Sequence, residues 1–263
     1  MTRLFDSHAH YNDSRFDDYP GGAAGAIKDS FDSGVCGIMC VGTLPETSAE
    51  CIALAEAYDH IYVAAGIHPG DSRFIPCGGE ISALDEIRAM LDHERVLAIG
   101  EIGLDYHYGR EDEARQKYFF DAQLSLAEET SYPVIIHDRE AHGDTLDILK
   151  AHKGVTAVLH SFSGSAEMAR ELCSMGHFIS FSGTVSYKSA KNVRAAAAAV
   201  PRDRILVETD APYLPPEPHR GEINLSAYLR FTAAAAADAA GVPFDEFCDI
   251  TVRNTEKFFG IGG

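Results

Sequence analysis

Positive charge is scarce in this sequence of 263 residues. The chain has 22 lysine and arginine residues against 40 aspartate and glutamate residues, which gives a formal net charge of -18 at pH 7. A chain with this balance repels phosphate polymers unless metal ions or a local basic patch reverse the field. We therefore expect no extended binding along duplex nucleic acid.

Long apolar runs and a disulfide framework are also missing. No apolar run is long enough to span a bilayer, and the sequence opens without the charged and then apolar start of a secretory signal. The 6 cysteines form no C-x-x-C pair and no dense framework, which indicates reduced and mostly buried thiols. We expect a cytoplasmic protein that does not enter membranes and needs no obligate protein partner.

The sequence has no segment with the composition of a linker, so we predict a single domain over residues 1–263. Its content of 46% hydrophobic and 24% charged residues is typical of a globular enzyme. A single α/β barrel commonly has this length.

Apolar, β-branched runs recur along the chain with helical patterns between them, an alternation that favours a parallel sheet in the α/β class. Most of the runs are continuously apolar, as expected for strands covered on both faces. Eight such units close as a (β/α)8 TIM barrel, with the active site at the carboxyl ends of the strands. The predicted strands are residues 3–7, 36–41, 61–66, 96–101, 133–137, 155–160, 178–181 and 205–209.

The segments between the strands have the sequence features of helices. Pro45 opens one helix, residues 111–130 form a long amphipathic pattern, and Ser165 begins another. The alanine runs at 195–199 and 233–237 indicate closely packed helices, because alanine loses no side-chain entropy in a helix. A final helix is predicted over residues 244–259.

The first predicted strand ends in an H-x-H pattern. The two-residue period of a strand places Asp6, His8 and His10 on one face, where two imidazoles can hold one metal ion. The plain alternative is a pair of polar residues at a strand end. Four later strand ends also carry residues able to bind a metal, and their joint occurrence favours a metal centre: Glu101, His137, His160 and Asp210.

Each of these four residues also has a plain interpretation. Glu101 could cap a helix, His137 and His160 could be hydrogen-bonded core histidines, and Asp210 could be an N-cap. Together with the H-x-H pair, however, they supply more donors than the three or so protein ligands of one catalytic zinc ion. We therefore predict two divalent ions, Zn²⁺, Mn²⁺ or Mg²⁺, roughly 3.5–4 Å apart and bridged by Glu101.

Six motifs in this order resemble the TatD family of metal-dependent deoxyribonucleases, which belongs to the amidohydrolase-like barrels. They are F-D-S-H-A-H, G-I-H-P, G-E-I-G-L-D, I-I-H-D-R, H-S-F-S-G and E-T-D-A-P-Y-L. The resemblance implies a (β/α)8 barrel, metal ligands at the same six positions named above, and hydrolysis of DNA, often from a 3′ end.

Two positions depart from the pattern of that family. Ser161 stands where members usually have cysteine, and we expect little effect because this side chain should point away from the metals. After residues 218–221 the family commonly shows R-N-E-P, of which this sequence keeps only Asn224. The second departure bears on the geometry of the loop and on the choice of substrate.

We assign catalytic roles to three of the residues. Asp210 is expected to bind one ion and to accept a proton from the attacking water, and Glu101 to bridge the two ions. His68, at the end of the third strand, is suited to donate to a phosphate oxygen or to the leaving group. The alternative for His68 is a histidine packed in the core.

Positive side chains at the strand ends are the candidates for substrate binding. Arg139, two residues past His137, is suited to a bidentate phosphate contact, with a salt bridge at a helix start as the alternative. His219 and Arg220 could add charge from the proline-rich loop, or be solvated. Asp6, Asp105 and Glu208 share strand faces with ligands and are expected to orient histidines or to fill the polar interior.

The first hypothesis for function is a metal-dependent hydrolase that cleaves phosphodiester bonds of DNA at 3′ ends or single strands. The alternative is a small-molecule amidohydrolase or lactonase using the same metal centre, which the absence of a lysine at a strand end slightly disfavours. A non-enzymatic metal-binding scaffold, and RNA or a nucleotide fragment as substrate, also stay open at this point.

Overall fold

A computed structural model describes residues 3–262 of the chain. These residues form eight strands and nine α-helices that alternate along most of the sequence. The strands are β1 (Leu4–Ala9), β2 (Val35–Val41), β3 (Ile61–Ala65), β4 (Val96–Asp105), β5 (Val134–Arg139), β6 (Ala157–Leu159), β7 (Phe178–Phe181) and β8 (Ile205–Val207). The helices are α1 (Gly22–Asp32), α2 (Pro45–Ala57), α3 (Glu80–Met90), α4 (Glu113–Thr130), α5 (His142–Ala151), α6 (Ala166–Ser174), α7 (Lys191–Ala199), α8 (Leu229–Ala240) and α9 (Phe244–Phe259).

The eight strands form one sheet whose spatial order follows the chain from β1 to β8. The pairings are parallel, and an isolated bridge between Ala9 and Ala211 joins the end of β1 to the residues after β8. This is the predicted (β/α)8 barrel. Only β7 has the predicted boundaries, and the fourth and sixth strands depart most from theirs. The fourth strand runs on to Asp105 because β5 offers pairing partners as far as Arg139, while the sixth strand is only Ala157–Leu159.

Side-chain hydroxyls satisfy free backbone groups at the start of two helices. The hydroxyl of Thr47 accepts the N–H of Leu44 at 2.9 Å at the start of α2, and that of Ser165 accepts the N–H of Met168 at 3.2 Å at the start of α6. Both alanine runs lie in helices, α7 and α8, as predicted. Within the described chain, no helix combines the length and the apolarity that crossing a membrane requires.

Contacts divide the described chain into two compact units, the first of which comprises residues 3–40 and 160–262. In this first unit β1 pairs with β2, β7 pairs with β8, and α9 packs on both β1 and β8. Gly37 of β2 lies directly against the ring of Phe5, where a Cβ would come within 2.3 Å of a ring carbon. The strand pair therefore requires glycine at this position.

The second unit comprises residues 41–159. The strands β3 to β6 pair in chain order within it, and α4 packs on β4. Gly103 of β4 has a φ of +135°, and a Cβ there would lie 2.0 Å from the carbonyl oxygen of His137. This glycine lets β4, which carries Glu101 and Asp105, run close beside the strand that carries His137.

One buried histidine makes the stability of the fold depend on pH. His177, between α6 and β7, is 2% exposed, and burial lowers its pKa from 6.5 to about 4. Between these two pH values the unfolded chain binds the proton and the folded chain does not, so stability falls as the pH drops through this window. Above pH 6.5 the imidazole is neutral in both states, and its contribution is constant.

We therefore expect the free energy of unfolding to fall by roughly 2 kcal/mol between pH 8 and pH 5 through His177 alone. Urea unfolding of the wild type and of His177→Gln, measured at several pH values, checks this. The difference between the two proteins should shrink as the pH falls from 7 to 5. A difference that does not vary with pH would contradict the assignment.

Candidate metal centre

Three side chains meet at the end of β1 in the first unit. His8 is fully buried and His10 is 8% exposed, and their Nε2 atoms are 3.0 Å apart. The Oδ1 of Asp210 lies 3.7 Å from Nε2 of His8 and 3.4 Å from Nε2 of His10. Two ligands that bind a tetrahedral zinc ion at about 2.0–2.1 Å are roughly 3.3 Å apart. The three donor atoms therefore have nearly the spacing that one ion imposes.

Backbone hydrogen bonds hold Asp210 beside β1. The carbonyl of His8 accepts the N–H of Asp210 at 2.9 Å, and the N–H of His10 donates to the carbonyl of Ala211 at 2.7 Å. The φ of Asp210 is 59°, in the left-handed region that side chains seldom adopt. Burial alone would raise the pKa of Asp210, but the facing His10, His160 and His8 outweigh it and hold that pKa below its usual value.

Asp6 joins β1 to the segment that follows β8. Its Oδ1 accepts the N–H of Thr209 at 2.9 Å, and its Oδ2 accepts the hydroxyls of Thr209 and Ser226, each at 2.5 Å. Burial raises the pKa of Asp6 to about 7, although the hydrogen bonds from Ser226 and Thr209 act in the opposite direction. The side chain thus occupies the polar interior, one of the two roles predicted for it.

His160 follows β6 and stacks on His8, with ring centroids 4.0 Å apart. Its Nδ1 lies 3.2 Å from Oε1 of Glu208, which also accepts the N–H of Ser161 at 2.7 Å. A histidine that donates from Nδ1 to a carboxylate presents the lone pair of Nε2 to a metal. The expected contact between Glu208 and a histidine is present, and its orienting role stays a prediction.

The same carboxylate also offers a ligand atom, which the sequence analysis missed. His8, His160 and Glu208 each offer one ligand atom, and these three atoms lie within 4.8 Å of one another. Among residues 3–262, no hydrogen-bond donor reaches Oε2 of Glu208, although this side chain is fully buried. The signal in the sequence was its position two residues before Asp210, which places both carboxylates on one face of an extended segment.

These observations test whether the first unit fits a divalent cation. A buried carboxylate oxygen without a donor is unfavourable unless a cation lies against it. The surrounding donors are imidazole nitrogens and carboxylate oxygens, a set that suits Zn²⁺ or Mn²⁺. The residues of the first unit therefore fit a metal ion.

The second unit has its own group of ligands. Glu101 is 3% exposed, and its Oε1 lies 2.7 Å from Nδ1 of His137. The Nε2 of His137 lies 3.1 Å from Oδ2 of Asp105, so the imidazole is held between two carboxylates. The orienting role of Asp105 stays a prediction. Burial would raise the pKa of Asp105, but the hydrogen bond and the charge of His137 outweigh it and lower that pKa.

His68 lies beside the same two residues. Its Nε2 is 3.7 Å from Oε1 of Glu101, and its ring meets that of His137 edge to face at 4.6 Å between centroids. The Nδ1 of His68 accepts the N–H of Gly70 at 3.1 Å, so the neutral ring carries its proton on Nε2. This tautomer suits the predicted role of a hydrogen-bond donor. His68, Glu101 and His137 also have a spacing that a metal ion would allow.

Arg139, the last residue of β5, is exposed, and its guanidinium carbon lies 5.4 Å from the centroid of the Tyr108 ring. It forms no salt bridge within residues 3–262. The alternative of a salt bridge at a helix start is therefore not found, and the predicted contact with a phosphate stays a prediction.

The two other candidates for substrate binding are engaged by neighbours on the loop after β8. The ring of His219 stacks on that of Tyr228 at 3.7 Å, and its Nδ1 lies 3.0 Å from Oε2 of Glu222. The guanidinium of Arg220 lies 3.9 Å over the ring of Tyr187. Neither side chain is simply solvated, and their contact with a substrate stays a prediction.

Comparison with known proteins identifies the family. The sequence model of a family described as TatD related DNase matches residues 5–260. The chain belongs to the TatD family. Like others in the family, it is a metal-dependent hydrolase, which agrees with the two groups of ligands described above.

Relatives in the TatD family match almost the whole chain. The uncharacterized metal-dependent hydrolase YabD of Bacillus subtilis strain 168 is 37% identical over 264 residues, which cover 98% of this chain and 99% of that protein. The hydrolase YcfH of Escherichia coli K12, described in the same words, is 34% identical over 260 residues, which cover 98% and 96%. The crystal structure of the TatD homolog YjjV of Escherichia coli K12 superimposes with a TM-score of 0.90 at 30% identity, covering 98% of each chain.

The structure explains why the altered TatD loop keeps its asparagine. Asn224 is fully buried, and its Nδ2 donates to the carbonyls of Thr209 at 2.8 Å and Tyr213 at 2.6 Å. Its Oδ1 accepts the N–H of Leu225 at 2.9 Å. Asn224 therefore fixes the backbone on both sides of Asp210, and the rest of the loop can vary around it.

We expect Glu208→Gln to weaken the binding of Zn²⁺ by about tenfold to a hundredfold, because the amide keeps one acceptor oxygen for His160 but loses the negative charge and replaces the second oxygen with an NH2 group, which cannot bind a cation. Competition with a chromogenic chelator measures this. Ser161→Cys is the matched control, since the Oγ of Ser161 lies 2.8 Å from that of Ser182 and so faces another hydroxyl. An unchanged affinity in Glu208→Gln would show that this carboxylate has no part in metal binding.

Proposed function

We propose that this TatD protein hydrolyses phosphodiester bonds of DNA, at 3′ ends or in single strands, with two divalent ions of Zn, Mn or Mg. The observation that carries the proposal is that each unit has a group of ligands, His8, His10 and Asp210 in one and Glu101 and His137 in the other. One ion in each group gives the predicted pair. The bridging of both ions by Glu101 remains part of the prediction.

The positions of their donor and acceptor atoms suggest what Asp210 and His68 would do in this reaction. Bound divalent ions would polarise the phosphoryl group and lower the pKa of a water molecule, so that hydroxide is available to attack the phosphorus. Asp210, whose Oδ1 faces both Nε2 atoms of the H-x-H pair, would take up the proton of that water. His68, with its proton on Nε2, would donate to a phosphate oxygen or to the leaving oxygen.

The distribution of charge supports a strand end or a single strand as substrate. With a formal net charge of -18, the molecule can neutralise few phosphates. Arg139 is an exposed cation without a salt bridge in the described part of the chain, and it stands two residues past His137 on β5. Such a site suits one or two phosphates rather than a long duplex.

The alternative of a small-molecule amidohydrolase or lactonase would use the same ligands. None of the eight strands contains a lysine that could serve as a carbamylated bridge, which favours the phosphodiesterase. Activity toward lactones and amides is therefore an outcome to be measured beside that toward DNA.

We expect Glu101→Ala and Asp210→Ala each to abolish divalent-dependent cleavage of end-labelled DNA, because each removes a charged ligand of the proposed ions. Circular dichroism should show an intact fold. Glu256→Ala, on α9 and paired only loosely with Arg3 at 3.8 Å, should keep full activity as the acidic control.

The same assay separates the alternatives when it is run with single-stranded DNA, double-stranded DNA, RNA, lactones and amides, with and without a chelator. Full activity on DNA in either ligand variant would refute the site. Cleavage of lactones or amides with none of DNA would refute the proposed substrate.

We also expect the affinity for single-stranded DNA to depend only weakly on salt. If Arg139, His219 and Arg220 are the side chains that contact phosphates, the logarithm of the affinity should fall against the logarithm of salt concentration with a slope of about -2. Binding of a phosphorothioate oligonucleotide at several salt concentrations measures the slope. A slope twice as steep would mean many more contacts and would contradict recognition of ends.

A further inference from the structure

The loop that follows β4 exposes an aromatic ring. Tyr108 is 82% exposed, more than any other large hydrophobic side chain that the structure describes. Its ring meets that of His107 edge to face, with centroids 4.8 Å apart. The exposed ring contributes little to the core, and its face can contact a ligand.

Arg139 lies over this ring. In the pairing of β4 with β5, Arg139 is the partner of Asp105, and the N–H of Tyr106 donates to the carbonyl of Arg139 at 2.9 Å. The guanidinium carbon is 5.4 Å from the centroid of the Tyr108 ring, within the range of a cation–π contact. The backbone pairing thus fixes a planar cation and an exposed aromatic ring side by side.

The pair lies close to the ligands of the second unit. Two residues of a strand span about 7 Å, and they bring Arg139 onto the same face of β5 as His137. The ring of His137 contacts Glu101 at 2.7 Å and Asp105 at 3.1 Å. The backbone of Arg139 is therefore about 7 Å from that of His137.

We propose that Tyr108 and Arg139 form a nucleoside subsite, in which the ring stacks on the base beside the bond that is cut and the guanidinium binds the adjoining phosphate. The inference rests on the proposed hydrolysis of DNA and adds the groups that recognise the nucleotide. Stacking accepts every base because each has a π face, and the two-pronged guanidinium matches a phosphate. A simple lactone or amide offers neither partner.

The test compares two single-stranded oligonucleotides that differ only in whether the terminal nucleotide carries its base. With the enzyme loaded with Mn²⁺, Tyr108→Ala should raise KM about tenfold on the intact oligonucleotide and hardly at all on the abasic one. The kcat should change little, because the ring touches no reacting atom. Tyr108→Phe should restore the KM of the wild type. Tyr118→Ala, which removes a 46% exposed tyrosine on α4, is the matched control and should change neither constant.

A second measurement does not depend on turnover. The sequence contains no tryptophan, so Tyr108→Trp would introduce the only indole of the protein, at the proposed subsite. Titration of this metal-loaded variant with a phosphorothioate oligonucleotide should quench its fluorescence when the terminal base is present and leave it almost unchanged when the base is missing. Adding Arg139→Met to this variant should weaken its affinity for the oligonucleotide, measured by the same quenching.

The outcomes separate the subsite from the proposed function. Equal KM values for intact and abasic substrates in the wild type, or an equal effect of Tyr108→Ala on both, would overturn the subsite while DNA hydrolysis stands. If the wild type cuts neither oligonucleotide, the proposed function fails, and the fluorescence titration alone then tests the subsite. In that case quenching that depends on the base supports the subsite, and its absence overturns it.

Discussion

The hydrogen bonds of one buried carboxyl group, that of Asp6, fix the metal-binding end of the first unit. They join β1 to Thr209, which is 203 positions away along the chain, and to Ser226. This junction places the carbonyl of His8 against the N–H of Asp210. A buried carboxyl group that lost such partners would cost about 1–3 kcal/mol for each unsatisfied bond. The arrangement of the ligands and the stability of the junction therefore have the same source.

Two residues at this end of the molecule have left-handed backbones. Ser161, which follows the ligand His160, has a φ of 42°, and Asp210 has a φ of 59°. A side chain in this region costs of the order of 1 kcal/mol and persists where surrounding contacts over-determine it. Here Glu208 holds the N–H of Ser161, and the carbonyl of His8 holds that of Asp210. The orienting carboxylate thus controls both a ligand ring and the turn beside it.

The sequence predicts the barrel and the identity of most donors because both follow from local rules. Continuous apolar runs identify strands, and the two-residue period places His8 and His10 together. The partners of each side chain come from remote parts of the chain, and no local rule supplies them. The enclosure of His137 by two carboxylates depends on the register of β4 against β5, and the free oxygen of Glu208 depends on the fold around it. Pattern alone therefore finds the candidate ligands and the carboxylates near them, but not which carboxylate contacts which histidine.

The two groups of ligands differ in how much chain must be in place before they can form. Glu101 and His137 are 36 positions apart, whereas the contact of Asp6 with Thr209 spans 203. Closing the longer loop costs more conformational entropy, and contacts of this span form late in folding. During synthesis on a ribosome, residue 137 also emerges well before residue 210. The donor atoms of His8, His10 and Asp210 can therefore come together only when the chain is nearly complete, later than those of Glu101 and His137.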